Sequence, residues 1–280
     1  MRSWAEGSSD GSREDLQSLP ADSLWEEVCC EADQCARAQC RFFSSCFLQR
    51  ARRRAAHSDL LVVNHALLMT DLALRRQTGS MSSGSVLPPF SRLVLDEAHH
   101  LEDVATRFFS TQVTRFAFSR TLNRLRHPRK PHRGLLPRLN NLIGNQLNQN
   151  QDQLFRVYHE RIESLLTTSQ RLLERSIADL EATGQQCASI VGEEPSRGDG
   201  LRRRLLPELT ESPLWGEVEG RLRALVRVVN ECAEQLQELI KELRRLPDDL
   251  SDKARSLTTE LRACAMRLQS LADQLLAFVG

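Results

Sequence analysis

The sequence contains few aromatic residues and almost no net charge. Of its 280 residues 5% are aromatic, with one Tyr and three Trp, and 38 basic side chains are balanced by 37 acidic ones to a formal charge of +1. A β-sandwich favours β-branched and aromatic residues, so this composition suits helices better. Because no global charge attracts polyanions, any contact with nucleic acid must come from local basic clusters.

Long apolar runs are missing as well. No stretch approaches the roughly 20 consecutive apolar residues that cross a bilayer, and residues 1–15 lack the apolar core of a signal peptide. We therefore expect a soluble, cytoplasmic protein without a membrane partner. Structural disulfides are rare in that compartment, so clustered cysteines indicate a metal site or catalysis.

Five of the eight cysteines fall between residues 29 and 46. Cys35, Cys40 and Cys46 are separated by four and five residues, and Cys29 and Cys30 precede them. Zinc sites more often use tighter Cys-x2–4-Cys knuckles in two separated pairs. An iron–sulfur cluster, which needs four thiolates around a larger inorganic core, fits this spacing better. Zinc stays open as the alternative, and the three remaining cysteines are expected to be small buried hydrophobes.

A basic helix is predicted directly after Cys46. It carries Arg50, Arg52, Arg53 and Arg54. Such a run is either a solvated helix face or a ridge that contacts phosphates, since arginine binds phosphate oxygens through two hydrogen bonds at once. The sequence leaves both interpretations open.

Two short apolar runs, at residues 60–63 and 93–95, predict buried strands of a small parallel α/β sheet. The second run ends on Asp96 and Glu97, where acids would face a ligand crevice. Nucleotide hydrolysis needs such a pair: Asp96 would hold Mg²⁺, and Glu97 would activate the attacking water. His99 is placed to sense the nucleotide. An ordinary strand end with solvated acids is the alternative.

The second half of the chain, from about residue 110, predicts long helices. In residues 214–246 and 250–279 apolar side chains recur every three or four positions, which places them in one stripe on each helix. Residues 120–138 contain seven Arg or Lys and two His without any acid, among them Arg129 and Lys130. This segment is either a solvated linker or a contact for single-stranded DNA.

Four features, taken in their order along the chain, resemble the bacterial DinG/YoaA helicases, relatives of the XPD group. They are the cysteine spacing, the basic helix, SDLLVVNHALLMTDLALR and LVLDEAHHLEDVA. The resemblance covers roughly residues 15–110. It implies a 5′→3′ ATP-dependent DNA helicase of superfamily 2 with a [4Fe–4S] cluster, acting in DNA repair or replication. Cys35, Cys40 and Cys46 would be cluster ligands, Asp96 and Glu97 the hydrolytic acids.

The resemblance also implies a domain order and the role of His99, which would couple the nucleotide to DNA. A poorly ordered N-terminus (1–20) would precede the cluster region (21–58). A partial RecA-like motor segment (59–109) and a truncated helical arch (110–280) would follow. The expected fold class is therefore mainly α with a small α/β part.

The sequence departs from this family in two ways. No cysteine stands at the family's upstream position for the fourth ligand, so either Cys29 or Cys30 substitutes or, as we favour, the site is incomplete. A G-x-x-x-x-G-K-[ST] phosphate loop is also absent. We expect an internal fragment that alone neither hydrolyses ATP nor unwinds DNA. The alternative function is a non-enzymatic, zinc-binding helical interaction module.

Overall fold

The protein is described by a computed structural model, which divides the chain into two compact units. It describes residues 2–16, 18–21, 24–25, 29, 35, 38, 40, 42–78, 86–110, 112–146, 152–191 and 207–280. Unit 1 comprises Met1–Ser110 and unit 2 comprises Thr111–Gly280. Of the cysteine positions considered above, Cys30 lies outside the described residues.

Unit 1 consists of short helices joined by irregular segments. Its helices are α1 (Arg2–Gly7), α2 (Phe47–Ala56), α3 (His65–Thr78) and α4 (Leu101–Phe109), with 3-10 turns at Arg13–Asp15 and Ala98–His100. Helix α3 starts after Asn64, whose side-chain oxygen accepts a hydrogen bond from the Leu67 amide at 2.8 Å. Such a cap satisfies one of the amides that a helix leaves unpaired at its N-terminus.

The N-terminal segment contains a short helix. Within residues 1–20, for which the sequence predicts little order, α1 spans Arg2–Gly7. The Trp4 indole donates a hydrogen bond to the Ser12 carbonyl at 3.0 Å. Its ring lies 5.8 Å from the Trp25 ring and 6.0 Å from the Phe47 ring, measured between centroids. These aromatic contacts stabilise a segment that is rich in Gly and Ser.

The two predicted strands are not formed. Residues 60–63 and 92–95 have no regular secondary structure, and the described residues contain no strand. Val62 is 91% exposed and Val94 is 92% exposed, so the predicted burial of these runs is wrong as well. A strand is stabilised by hydrogen bonds and side-chain contacts to a neighbouring strand, and the described part of unit 1 offers none. The expected RecA-like sheet is thus not observed in the described part of unit 1.

Unit 2 is a bundle of helices. They are α5 (Arg115–Leu125), α6 (Leu135–Gln146), α7 (Asp152–Val191), α8 (Pro207–Thr210), α9 (Pro213–Leu243) and α10 (Asp248–Val279). Helices α9 and α10 form a hairpin, α7 packs along α9, and α5 and α6 pack against α7 and α10. The predominantly helical fold class is confirmed.

The apolar stripes of α9 and α10 form the core of unit 2. All of the stripe residues that the sequence indicates are buried: Val218, Leu222, Leu225, Val229, Cys232, Leu236, Leu239 and Leu243 in α9, and Leu257, Leu261, Cys264, Leu268, Leu271 and Leu275 in α10. Burying one such leucine contributes roughly 1.5 to 3 kcal/mol. Cys232 and Cys264 are small core residues, as predicted, and burial raises the pKa of Cys232 to about 12. Cys187 is only half-buried.

Among the helices of the described residues, none combines the length and the apolar character that crossing a bilayer requires.

Candidate functional site

The adjacent acids Asp96 and Glu97 lie in a tight turn before α4. Glu97 has φ 49° and ψ 45°, and it is the one non-glycine residue with positive φ in the described chain. The Asp96 carboxylate accepts a hydrogen bond from the Glu97 amide at 3.0 Å. The 3-10 turn Ala98–His100 follows and leads into α4. Residues other than glycine are strained in the left-handed region, and such strain concentrates at functional sites.

This turn brings a carboxylate and two imidazoles together. Glu97 Oε2 lies 3.2 Å from His99 Nδ1, and the His99 and His100 rings are 3.9 Å apart between centroids. Ligand atoms of Glu97, His99 and His100 all lie within 4.8 Å of one another, so these exposed side chains could share a metal ion. Asp96 is adjacent but outside this group. Mg²⁺ prefers oxygen ligands, and in this turn the carboxylates of Asp96 and Glu97 are side chains that offer them.

A buried ion pair anchors the segment that leads to this turn. Asp71 and Arg75, one helical turn apart on α3, are joined at 2.6 Å and are 0% and 3% exposed. Asp71 Oδ1 accepts hydrogen bonds from the Val86 and Leu87 amides, each at 2.9 Å. The Arg75 guanidinium donates to the Leu87 carbonyl at 3.1 Å. The pair therefore fixes residues 86–88, which precede the Asp96 turn, to α3.

Two opposing effects act on the Asp71 pKa. Burial raises it, whereas the amides of Leu87 and Val86 and the Arg75 guanidinium lower it, and the net pKa is below the usual value. The carboxylate is therefore charged at neutral pH, and its charge is matched by Arg75.

Sequence reasoning did not find this pair. The i, i+4 spacing of Asp71 and Arg75 indicates an ion pair on a helix, but such pairs are commonly solvated. Its burial depends on the return of residues 86–90 over α3, which no local pattern reveals.

The described cysteines of the cluster region are half-buried thiols without disulfide bonds, as Cys29, Cys35, Cys40 and Cys46 all show. Cys46 is the N-cap residue of α2, and its side chain makes no capping hydrogen bond. Within the described residues these thiols do not form a group with ligand atoms within 4.8 Å. Thiolates are the donors of an iron–sulfur cluster and also of a structural zinc ion, so these side chains are chemically able to hold either group.

Helix α2 gathers three of its four arginines on one face. Arg50, Arg53 and Arg54 line a cavity of about 360 Å³, which Asp10 also lines. Arg50 donates a hydrogen bond to the Ser9 carbonyl, and its guanidinium lies 5.1 Å from the centre of the Phe47 ring.

Arg53 and Arg52 of this helix occupy different settings. Arg53 donates a hydrogen bond to the Ser44 carbonyl at 3.1 Å. Arg52 is exposed but does not line the cavity. The geometry therefore groups the arginines at positions i, i+3 and i+4 and leaves Arg52 on another side of the helix.

In unit 2, Arg129 and Lys130 are exposed on the turn between α5 and α6. The His127 ring nitrogen Nδ1 accepts hydrogen bonds from both of their amides, at 3.2 and 3.1 Å. The histidine therefore orders the backbone while the two basic side chains remain at the surface.

Comparison with known proteins identifies relatives of one part of the chain. It is 30% identical over 115 residues to the ATP-dependent DNA helicase YoaA of Escherichia coli K12, which covers 41% of this chain and 18% of YoaA. It is 36% identical over 115 residues to the ATP-dependent helicase DinG of Mycobacterium tuberculosis H37Ra, covering 41% of this chain and 16% of that protein. This stretch is homologous to part of the DinG and YoaA helicases.

A further relative is the ATP-dependent DNA helicase DinG of Salmonella choleraesuis, 35% identical over 98 residues, or 34% of this chain and 12% of that protein. The chain thus matches less than a fifth of the length of these helicases. No protein-family model and no solved structure matches the chain.

Proposed function

We propose that the chain contributes the cluster region and the hydrolytic acids of an ATP-dependent DNA helicase. The observation that carries this proposal is the homology to DinG and YoaA, together with the Asp96–Glu97 pair in a strained, exposed turn. Nucleotide hydrolysis in a motor domain requires two adjacent acidic residues, which follow a core segment of that domain.

In this proposal the acids have separate roles. Asp96 would supply an oxygen ligand for Mg²⁺, which when bound would neutralise charge on the phosphates of ATP. Glu97 orients the attacking water and accepts its proton. His99, 3.2 Å from Glu97, holds that carboxylate and couples its position to the DNA-binding side. The Asp71–Arg75 pair positions the segment before the turn.

The cluster would be held by Cys35, Cys40 and Cys46; either Cys29 or Cys30 would supply the fourth thiolate or, as the sequence favours, the site in this chain would be incomplete. The accessible thiols and their spacing support this assignment. When bound, a [4Fe–4S] cluster would tie the cysteine segment together beside α2. The alternative function, a zinc-binding helical interaction module, uses the same thiols but no hydrolytic acids.

Metal analysis distinguishes these two functions. We expect the chain purified under anaerobic conditions to contain iron and acid-labile sulfide, with a charge-transfer absorbance that Cys40→Ser and Cys46→Ser abolish. Cys232→Ser, a change at a buried thiol in the core of unit 2, is the control and should leave the iron content unchanged. Stoichiometric zinc without sulfide would reject the cluster in favour of the zinc module.

DNA binding tests the basic face of α2. We expect the chain to bind a fluorescent oligo(dT) in an anisotropy titration, with affinity that falls as salt rises. Each phosphate contact to single-stranded DNA contributes about 0.7 to the slope of log K against log salt concentration. Arg54→Ala should therefore reduce that slope by about 0.7.

Arg52→Ala removes the same charge from another side of α2 and is the matched control. An equal reduction in slope by both changes would mean that net charge, and not the Arg50–Arg53–Arg54 face, determines binding. Arg129→Ala and Lys130→Ala test the basic turn of unit 2 in the same titration.

A further inference from the structure

Unit 2 contains a cavity that the helicase proposal does not use. It has a volume of about 550 Å³ and lies among the start of α5, the second half of α7, and residues of α9 and α10. Its walls are mainly apolar, from Val113, Leu180, Leu222, Leu275 and Phe278. Small-molecule sites typically occupy about 300 to 1,000 Å³ and combine apolar walls with few polar groups.

The cavity contains one buried polar side chain, Thr183 on α7, which is 8% exposed. Its hydroxyl oxygen is shielded from solvent and has no hydrogen-bond partner among the described residues. Buried hydroxyl groups usually have a partner, because burial removes their hydrogen bonds to water.

Other buried hydroxyl groups of this bundle follow that rule. On the same helix Ser169 donates to the Leu166 carbonyl and Ser176 to the Leu173 carbonyl, each at 2.9 Å. On α5 Thr121 donates to the Ala117 carbonyl at 3.0 Å. Thr183 differs from them in lining a cavity, and a rotation of its side chain that turned the hydroxyl into the cavity would let a ligand with a hydrogen-bond acceptor supply the missing partner.

The charges around the cavity indicate what kind of ligand fits. Arg115 and Glu181 lie at its exposed rim and pair with each other at 2.5 Å. Burial raises the pKa of the Cys187 thiol, which therefore stays uncharged at neutral pH. Since these charges cancel and the thiol is neutral, the cavity favours an uncharged ligand over an anion or a cation.

We propose that this cavity binds a small, uncharged molecule with an apolar body and a carbonyl group, which accepts a hydrogen bond from the Thr183 hydroxyl. The apolar walls would cover the body of the ligand, and Phe278, whose ring lies 5.8 Å from that of Trp215, would form one side. The proposal does not depend on the helicase assignment, because all of these residues lie in unit 2.

A solvatochromic ketone tests this proposal directly. The probe is prodan, an uncharged naphthalene with one carbonyl group, added to the full 280-residue chain. We expect saturable binding with a blue shift of its emission. Thr183→Val removes the hydroxyl at nearly constant shape and should weaken binding about three- to tenfold, as loss of one neutral hydrogen bond does.

The same substitution should raise the melting temperature of the free chain, because it removes a buried hydroxyl that lacks a partner. 2-Dimethylaminonaphthalene, which lacks the carbonyl, should bind with an affinity that Thr183→Val leaves unchanged. If Thr183→Val weakens both probes equally, or weakens neither, the assignment of the hydroxyl is wrong.

A pair of glycine substitutions tests the location. Gly184 borders the cavity, and a side chain added there meets no atom of another element within 4 Å. Gly184→Leu should therefore fold, and by filling the mouth of the cavity it should weaken prodan binding more than tenfold. Gly220→Leu, at an equally open helical position of α9 away from the cavity wall, should bind as the unchanged chain does. Binding that survives Gly184→Leu, or no saturable binding at all, overturns the proposal.

Discussion

At Asp71, burial and hydrogen bonding change the carboxyl pKa in opposite directions, and hydrogen bonding prevails. A group whose pKa is lower in the folded than in the unfolded state stabilises the fold above its unfolded pKa. That contribution is lost as the pH falls through the lower, folded value. Unit 1 should therefore keep the stability that Asp71 provides at neutral pH and lose it only in acid.

We expect Asp71→Asn to destabilise unit 1 by about 3 to 5 kcal/mol at neutral pH, because it removes the carboxylate charge that pairs with the buried Arg75 guanidinium. Urea denaturation and hydrogen exchange of the Val86 and Leu87 amides measure the effect, and both amides should exchange faster. The variant should also lose less of its remaining stability in acid than the unchanged chain does.

Glu219→Gln is the matched control for Asp71→Asn. Glu219 pairs with Arg223 at 2.7 Å with the same i, i+4 spacing, but both side chains are solvated. Its loss should cost only about 0.3 to 0.5 kcal/mol. Equal effects of the two substitutions would show that the Asp71–Arg75 pair has no special role in holding residues 86–88.

At the level of secondary structure, the turn between α5 and α6 depends on close backbone packing. Gly134 is buried, and a Cβ atom there would lie 2.6 Å from the Leu125 carbonyl oxygen and 2.8 Å from the Arg126 Cα. Both contacts are to backbone atoms, which cannot move aside as a flexible side chain can. Glycine therefore allows α6 to start directly against the end of α5 and fixes the turn that carries Arg129 and Lys130.

Two glycine-to-alanine changes in unit 2 should have opposite signs. Gly134→Ala should destabilise unit 2 by about 1 to 3 kcal/mol, the cost of overpacking. Gly184→Ala should stabilise it by up to about 1 kcal/mol, because alanine favours the helix and the position is open. Midpoints of urea denaturation measure both changes. If Gly134→Ala is neutral, the close approach of the two helices is not essential.

The helices of unit 2, and the strands that were predicted in unit 1 but are not formed, show what the sequence can predict. The stripe from Val218 to Leu243 defines a helix face without reference to any partner, so α9 could be predicted in position and orientation. A strand at residues 60–63 requires a second strand beside it, and a local pattern cannot show whether one is present. The same limit applies to Thr183, whose unpartnered hydroxyl follows from how four segments pack.

The candidate site was predictable in its chemistry more than in its geometry. From the sequence alone, Asp96, Glu97 and His99 could be chosen as candidate site residues by the type of their side chains and their order along the chain. The left-handed backbone of Glu97 and the approach of His100 to the same carboxylate required the three-dimensional structure. The Asp71–Arg75 pair, which supports this turn from 20 or more residues upstream, lies beyond local inference.

For the molecule as a whole, stability is unevenly distributed between the units. Unit 2 has a continuous apolar core that extends through α5, α6, α7, α9 and α10. In the described part of unit 1 the buried apolar side chains are few, namely Leu68, Met69 and Leu87. Unit 1 accordingly depends more on polar interactions such as the Asp71–Arg75 pair, and the proposed cluster would add a covalent cross-link where apolar burial is small.

The exposed runs at residues 60–63 and 93–95 also affect how copies of the chain behave at high concentration. Uncovered apolar segments with extended backbones and high β-propensity can pair with one another between molecules and start fibrillar aggregation. Charged residues adjoin both runs: Asp59 precedes the first, and Arg92 and Asp96 flank the second. In-register stacking would bring these like charges together, so the same Asp96 that is proposed to serve hydrolysis would also act as a gatekeeper against self-association.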